Sequence, residues 1–167
     1  MDPTRDQHCT RDPHCTVFHM VWKCPKLTRY WMDIFSFISK VLVLPIQPDP
    51  SLALLGHTGG VMDSVESRTL LQLLMFYASK LIVLRWNRLA TPKAPHRRDD
   101  SSCRTTNFRE ARPILLNYRA MEEWKELVKK ALPCYKAVYM SRGCTDKFIA
   151  IWMVWVLNYN TNSPNVF

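Results

Sequence analysis

The numbers of proline and glycine residues constrain the fold of this chain more than any other feature of its sequence. Its 167 residues include 11 prolines but only 4 glycines. Tight turns between strands depend on glycine, whereas proline ends helices because its ring blocks the hydrogen-bond ladder. The sequence therefore predicts a mainly α fold, with several amphipathic helices joined by Pro-marked loops and a short N-terminal Cys/His module.

Four segments have the apolar spacing of three and four residues that is typical of amphipathic helices: 28–44, 64–89, 120–132 and 146–158. Pro45 and Pro133 are expected to end the first and third segments. Ser64 and Thr145 are expected to cap the second and fourth. Residues 45–63 are expected to form a linker with one helical turn at 51–55.

The last predicted helix is unusual because ten consecutive residues, Phe148 to Leu157, are all apolar. A helix that is apolar on every side is buried or spans a membrane, but a span needs about 20 residues. Phe148, Trp152 and Trp155 share one face. We expect this face to dock on the helix at 64–89, and at least four of the six tryptophans to lie in the core.

Three cysteines and two histidines fall within the sixteen residues that end at Cys24. Thiolate and imidazole are the ligands that Zn²⁺ prefers. The set Cys9, Cys15, His19 and Cys24 predicts one zinc ion, with His14 as an alternative to Cys15. A decayed finger with free thiols is the competing interpretation.

The sequence from His19 to Trp31, with His-x4-Cys-Pro leading into a Tyr-Trp pair, resembles the zinc-binding tail that follows the reverse transcriptase domain in non-LTR (LINE-type) retrotransposon proteins. Further motifs similar to that family follow in order at 49–56, 81–92 and 146–155. The resemblance implies a truncated, degenerate carboxy-terminal tail that binds zinc and nucleic acid. The family pattern has a close Cys pair, whereas here five residues separate Cys9 from Cys15.

The net charge of +9 is concentrated around residues 85–112, where eight basic side chains face three acidic ones. Arginine dominates this segment, and its guanidinium group suits bidentate contacts with phosphate. We expect Arg85, Arg88, Arg97, Arg98 and Arg104 to bind RNA or DNA weakly and without sequence preference. A solvated linker is the alternative interpretation of the same charge.

No polymerase-type carboxylate pair or phosphate-binding glycine loop is evident, so we expect a non-enzymatic protein. The predicted divisions are a Cys/His module (1–26), a helical region (27–89), a basic loop (90–113), a second helical region (114–159) and a tail (160–167). The predicted function is that of a retrotransposon fragment that binds nucleic acid inside the cell, in cytoplasm or nucleus, without a membrane partner. The missing polymerase region is a further expected partner. The alternatives are a helical protein-interaction module with incidental cysteines, and a translated remnant without function.

Overall fold

The computed structural model describes residues 17–60, 62–90 and 119–159, and within these ranges every regular element is helical. The elements in chain order are a π-helical turn at His19–Lys23, α1 at Pro25–Leu42, α2 at Pro50–Leu55, α3 at Val65–Ala90, α4 at Arg119–Ser141 and α5 at Thr145–Tyr159. The mainly α prediction is confirmed.

Helix α1 begins and ends earlier than the sequence predicted. Pro25 occupies the first helical position, where its missing N–H group costs nothing. The helix ends at Leu42 because Val43 adopts a left-handed conformation with φ of 52°. The N–H group of Leu44 then donates to the carbonyl of Ser39 at 3.0 Å, which closes the end of the helix. Pro45 thus follows the helix end rather than causing it directly, and it disfavours helical geometry at the residue before it.

The short helix α2 corresponds to the turn predicted at 51–55. The Asp49 carboxylate caps it by accepting the N–H group of Leu52 at 2.8 Å. Gly56 ends it in the left-handed conformation, with φ of 67°. The Ser79 hydroxyl donates to the carbonyl of Ala53 at 2.9 Å, which ties α2 to α3.

Helix α3 is the central element and contacts the π-helical turn and all four of the other helices. It begins after Ser64, as predicted, and the Ser64 hydroxyl accepts the N–H group of Ser67 at 3.3 Å. The spacing of 64–89 predicts a core face of Leu70, Leu74, Tyr77, Leu81 and Leu84; the first four are buried, and Leu84 is half-buried. A second set that this spacing does not predict is also buried: Leu71, Met75, Ala78 and Ile82.

Burial on two sides explains why α3 is so apolar. By length and composition alone, Val65–Arg85 is the one candidate membrane span within the described residues. In the structure this stretch lies at the centre of the helical core.

Helix α4 contradicts the prediction that Pro133 ends it, because the helix continues to Ser141. Proline removes one backbone hydrogen bond from the helix, but side-chain contacts made by residues after Pro133 keep the backbone helical. Tyr135 contacts Trp152 with ring centroids 5.6 Å apart, and Tyr139 contacts Phe148 at 6.2 Å. Tertiary contacts on α5 therefore override the local helix-breaking tendency.

An aromatic cluster joins four helices at the centre of the molecule. The rings of Phe37 (α1), Trp124 (α4) and Trp155 (α5) contact one another with centroids 5.6–5.8 Å apart. The Trp124 indole N–H donates to the carbonyl of Leu74 in α3 at 3.1 Å. The apolar face of α5 thus docks on α1 and α4 as well as on α3, and not on α3 alone as predicted. Four tryptophans are buried, which confirms the minimum that the sequence predicted: Trp31, Trp124, Trp152 and Trp155.

Candidate functional site

The His-x4-Cys sequence forms a single closed turn. The N–H group of Cys24 donates to the carbonyl of His19 at 2.8 Å, a π-helical hydrogen bond between residues five apart. His19 is half-buried, and Cys24 is only 6% exposed at the start of α1. The backbone therefore brings these two predicted ligands to neighbouring positions.

Tryptophan side chains fix this turn against α1. The indole N–H of Trp31 donates to the carbonyl of Val21 at 2.9 Å, and the Trp22 and Trp31 rings lie 5.2 Å apart. Phe35 contacts Trp22 in an edge-on arrangement at 6.3 Å. These aromatic positions of the motif therefore have a structural role, since they hold the turn in place.

Only part of the predicted zinc site can be located. Cys9, His14 and Cys15 lie outside the described residues, whereas His19 and Cys24 lie within them. Across 17–60, 62–90 and 119–159, no group of three or more His, Cys, Asp or Glu side chains is placed to hold a metal ion. The four-ligand zinc site therefore stays a prediction.

Arg85, one of the predicted nucleic-acid contacts, lies against α4 and is largely buried. Its guanidinium group forms an ion pair with Glu123 of α4, and only 16% of its side chain is exposed. The cause is tertiary, because α3 and α4 lie side by side and bring these two residues together. The other predicted nucleic-acid contacts lie outside the described side chains: Arg88, Arg97, Arg98 and Arg104.

A different set of cations is exposed near the connection between α4 and α5, and the sequence analysis missed it. We call Lys136, Arg142 and Lys147 the hairpin cations; all three are exposed. Asp146 is the one carboxylate among residues 127–159, which also contain Lys129 and Lys130. The signal was present in the sequence, since no acidic residue occurs between Glu126 and Asp146.

One hairpin cation has an acidic neighbour on another helix. The pKa of Glu66, at the start of α3, is lowered first by a hydrogen bond from the Ser64 hydroxyl and further by the charge of Lys147. Lys136 and Arg142 are therefore the better candidates for a contact with phosphate.

A cleft of about 460 Å³ lies between the end of α3 and the start of α4. Its floor is apolar, with Leu81, Leu84 and Leu127, and its rim carries residues of both charges. The rim carboxylates have cationic neighbours: Glu122 lies 2.9 Å from Lys125, Glu126 lies 3.9 Å from Lys129, and Glu123 pairs with Arg85. The Arg85–Glu123 pair links α3 to α4, whereas the other two pairs lie within α4.

Comparison of the chain with protein-family models, with curated proteins and with solved structures finds no match. The retrotransposon resemblance therefore depends on its motifs alone.

Proposed function

We propose that this chain is a non-catalytic domain that binds RNA or DNA through phosphate contacts, and that it derives from the carboxy-terminal tail of a non-LTR retrotransposon protein. The observation that carries the binding proposal is the set of exposed hairpin cations on a chain with a net charge of +9. Lysine and arginine neutralise phosphate and release counterions, which favours association without sequence preference.

The proposed origin is supported by where the motif residues lie. Trp31 belongs to the first motif, whereas Trp152 and Trp155 belong to the last, more than one hundred positions away. All three are buried in the same hydrophobic cluster. Motifs that form one core are consistent with a single inherited domain.

Salt-dependent binding is the test of the proposed function. We expect the full chain to bind a fluorescent single-stranded RNA or DNA in an anisotropy assay, with an affinity that falls as salt rises. The double variant Lys136→Ala/Arg142→Ala should reduce the log–log salt slope by about two if both residues contact phosphate.

A matched control separates local contacts from total charge. Lys40 of α1 and Lys80 of α3 are also exposed. The variant Lys40→Ala/Lys80→Ala removes the same charge elsewhere and should change the slope less. Binding that is insensitive to salt, or equal effects of the two double variants, would contradict a phosphate-contact surface at the hairpin.

We also propose that the His19–Cys24 turn supplies two ligands of one zinc ion, with the remaining ligands among Cys9, Cys15 and His14. The hydrogen bond that closes the turn supports this proposal. Metal analysis of the purified protein should find about one zinc per chain.

Two cysteine variants test which thiols bind the metal. Cys24→Ser should lose the zinc, whereas Cys134→Ser should keep it, because Cys134 is exposed on α4. Far-UV circular dichroism of both variants checks that the helices are intact. A zinc-free parent protein would refute the metal proposal without affecting the phosphate contacts.

A further inference from the structure

The cleft between the end of α3 and the start of α4 has the features of a site for a small ligand. Its volume of about 460 Å³ lies within the range of roughly 300–1,000 Å³ that is typical of ligand pockets. Leu81 on its floor is buried, whereas Leu84 and Leu127 are half-buried and leave apolar surface open to the cleft. An apolar floor beneath a charged rim favours a ligand that is itself amphipathic.

The length of the floor limits the apolar part of that ligand. Leu81 and Leu84 are three residues apart on α3, which corresponds to a helix rise of about 4.5 Å. Leu127 of α4 lines the same cleft. A floor of this length covers one or two fused rings, whereas a long alkyl chain would extend over the charged side chains of the rim.

The charges around the cleft favour an anionic head group. Each rim carboxylate already lies beside a cation: Glu122 beside Lys125, Glu123 beside Arg85, and Glu126 beside Lys129. Lys130 also lines the cleft and is exposed, and no carboxylate of the described residues forms an ion pair with it. A cation therefore remains at the rim for the anionic group of a ligand.

The position of Lys130 relative to the floor defines the ligand further. Lys130 follows Leu127 by three residues, so the two side chains share one face of α4. The three rim carboxylates disfavour a group with two negative charges, such as a phosphate, because like charges repel. We infer that the cleft binds a small aromatic carboxylate, with its ring on Leu84 and Leu127 and its carboxylate at Lys130, independently of any nucleic-acid binding.

Methyl NMR of the full chain with naphthoate as the probe tests the site. Titration should shift the methyl signals of Leu81, Leu84 and Leu127 saturably, and leave unchanged those of Leu52 in α2, which lies outside the cleft. The matching neutral alcohol, naphthalenemethanol, should bind about three- to fivefold more weakly at low salt, the effect of one exposed ion pair. Absence of saturable shifts at the three cleft leucines, or equal affinities for the acid and the alcohol, would overturn the inference.

Two substitutions in α4 assign the charge that the carboxylate recognises. Lys130→Gln should abolish the preference for the acid and leave the affinity for the alcohol unchanged, because the apolar floor is intact. The matched control is Lys136→Gln, which removes an exposed cation of the same helix outside the cleft and should keep the preference. A preference that survives Lys130→Gln, or one that both substitutions reduce equally, would overturn the assignment of the carboxylate to Lys130.

Discussion

Two buried tryptophans, Trp124 and Trp152, differ in whether the indole N–H group has a hydrogen-bond partner. A matched pair of substitutions measures how much this difference contributes to stability. Trp124 and Trp152 are 0% and 1% exposed, and both lie on helices at the centre of the core. The indole N–H of Trp124 donates to the carbonyl of Leu74 at 3.1 Å. The indole N–H of Trp152 is buried and has no hydrogen-bond partner in the described structure.

Replacing each tryptophan by phenylalanine removes the same ring atoms and the same N–H group. In Trp124→Phe the protein loses a hydrogen bond, whereas in Trp152→Phe it loses a buried donor that was unsatisfied. A typical hydrogen bond contributes about 0.5–1.5 kcal/mol, and an unsatisfied buried group costs about 1–3 kcal/mol. We therefore expect Trp124→Phe to be the more destabilising by about 1.5–4.5 kcal/mol, if the cavity costs are similar.

Urea unfolding followed by far-UV circular dichroism measures this difference directly. Domains are stable by only about 5–15 kcal/mol, so the expected gap is a large fraction of the total. It corresponds to several degrees in Tm, since 1 kcal/mol shifts Tm by about 2–4 °C for a domain of this size. Equal losses for the two variants, or a larger loss for Trp152→Phe, would refute the hydrogen-bond argument.

Three further predictions concern backbone strain, helix continuity and alkaline pH. Val43→Gly should raise the free energy of unfolding by about 1 kcal/mol, because a left-handed residue with a Cβ atom costs roughly 1–2 kcal/mol; a lower urea midpoint would contradict this. Pro133→Ala should raise Tm, by an amount corresponding to at most about 3 kcal/mol, since proline inside a helix costs about that much; an unchanged or lower Tm would show that the proline is fully accommodated. Burial raises the pKa of Tyr30, whose hydroxyl donates to the carbonyl of Ala78 at 2.9 Å. This contribution to stability is therefore complete below the ordinary pKa of 10.0 and falls as the pH rises above it. Tyr30→Phe should make the loss of stability less steep in urea unfolding at increasing pH, and an unchanged slope would contradict the assignment.

Periodicity located the helices well where the local sequence decides the structure. The helix predicted at 64–89 lies at Val65–Ala90, with Ser64 before it as expected. Periodicity did not predict that a second face of α3 is also buried, with Leu71 and Met75 among its residues. A helix at the centre of a bundle has neighbours on several sides, and an amphipathic pattern describes only one of them.

The two prolines that were expected to end helices show why boundaries are harder to predict. Before Pro45 the helix has already ended, through the left-handed Val43. At Pro133 the helix continues, because Tyr135 and Tyr139 pack on α5 beyond it. The local effect of proline is the same in both cases, and the tertiary contacts decide the outcome.

The candidate site was less predictable because the role of a charged side chain depends on distant residues. Arg85 lies in the most basic part of the sequence, yet it pairs with Glu123, 38 positions further along the chain. Lys136 and Arg142 lie in a stretch with fewer cations but no carboxylate, and both are exposed. The charges along the sequence therefore show how many cations the chain has. They do not show which of these cations are exposed to solvent, because that depends on tertiary contacts.

The apolar side chains of helix α5 divide into a buried face and an exposed face. If another protein region were needed to cover the face of Phe148, Trp152 and Trp155, those side chains would be exposed in this structure. They are buried against α1, α3 and α4, so this face is satisfied internally. The large apolar side chains of α5 that stay exposed are Ile149, Met153 and Leu157 instead. The tryptophans of the motif are therefore core residues of this fold and are not available to a partner.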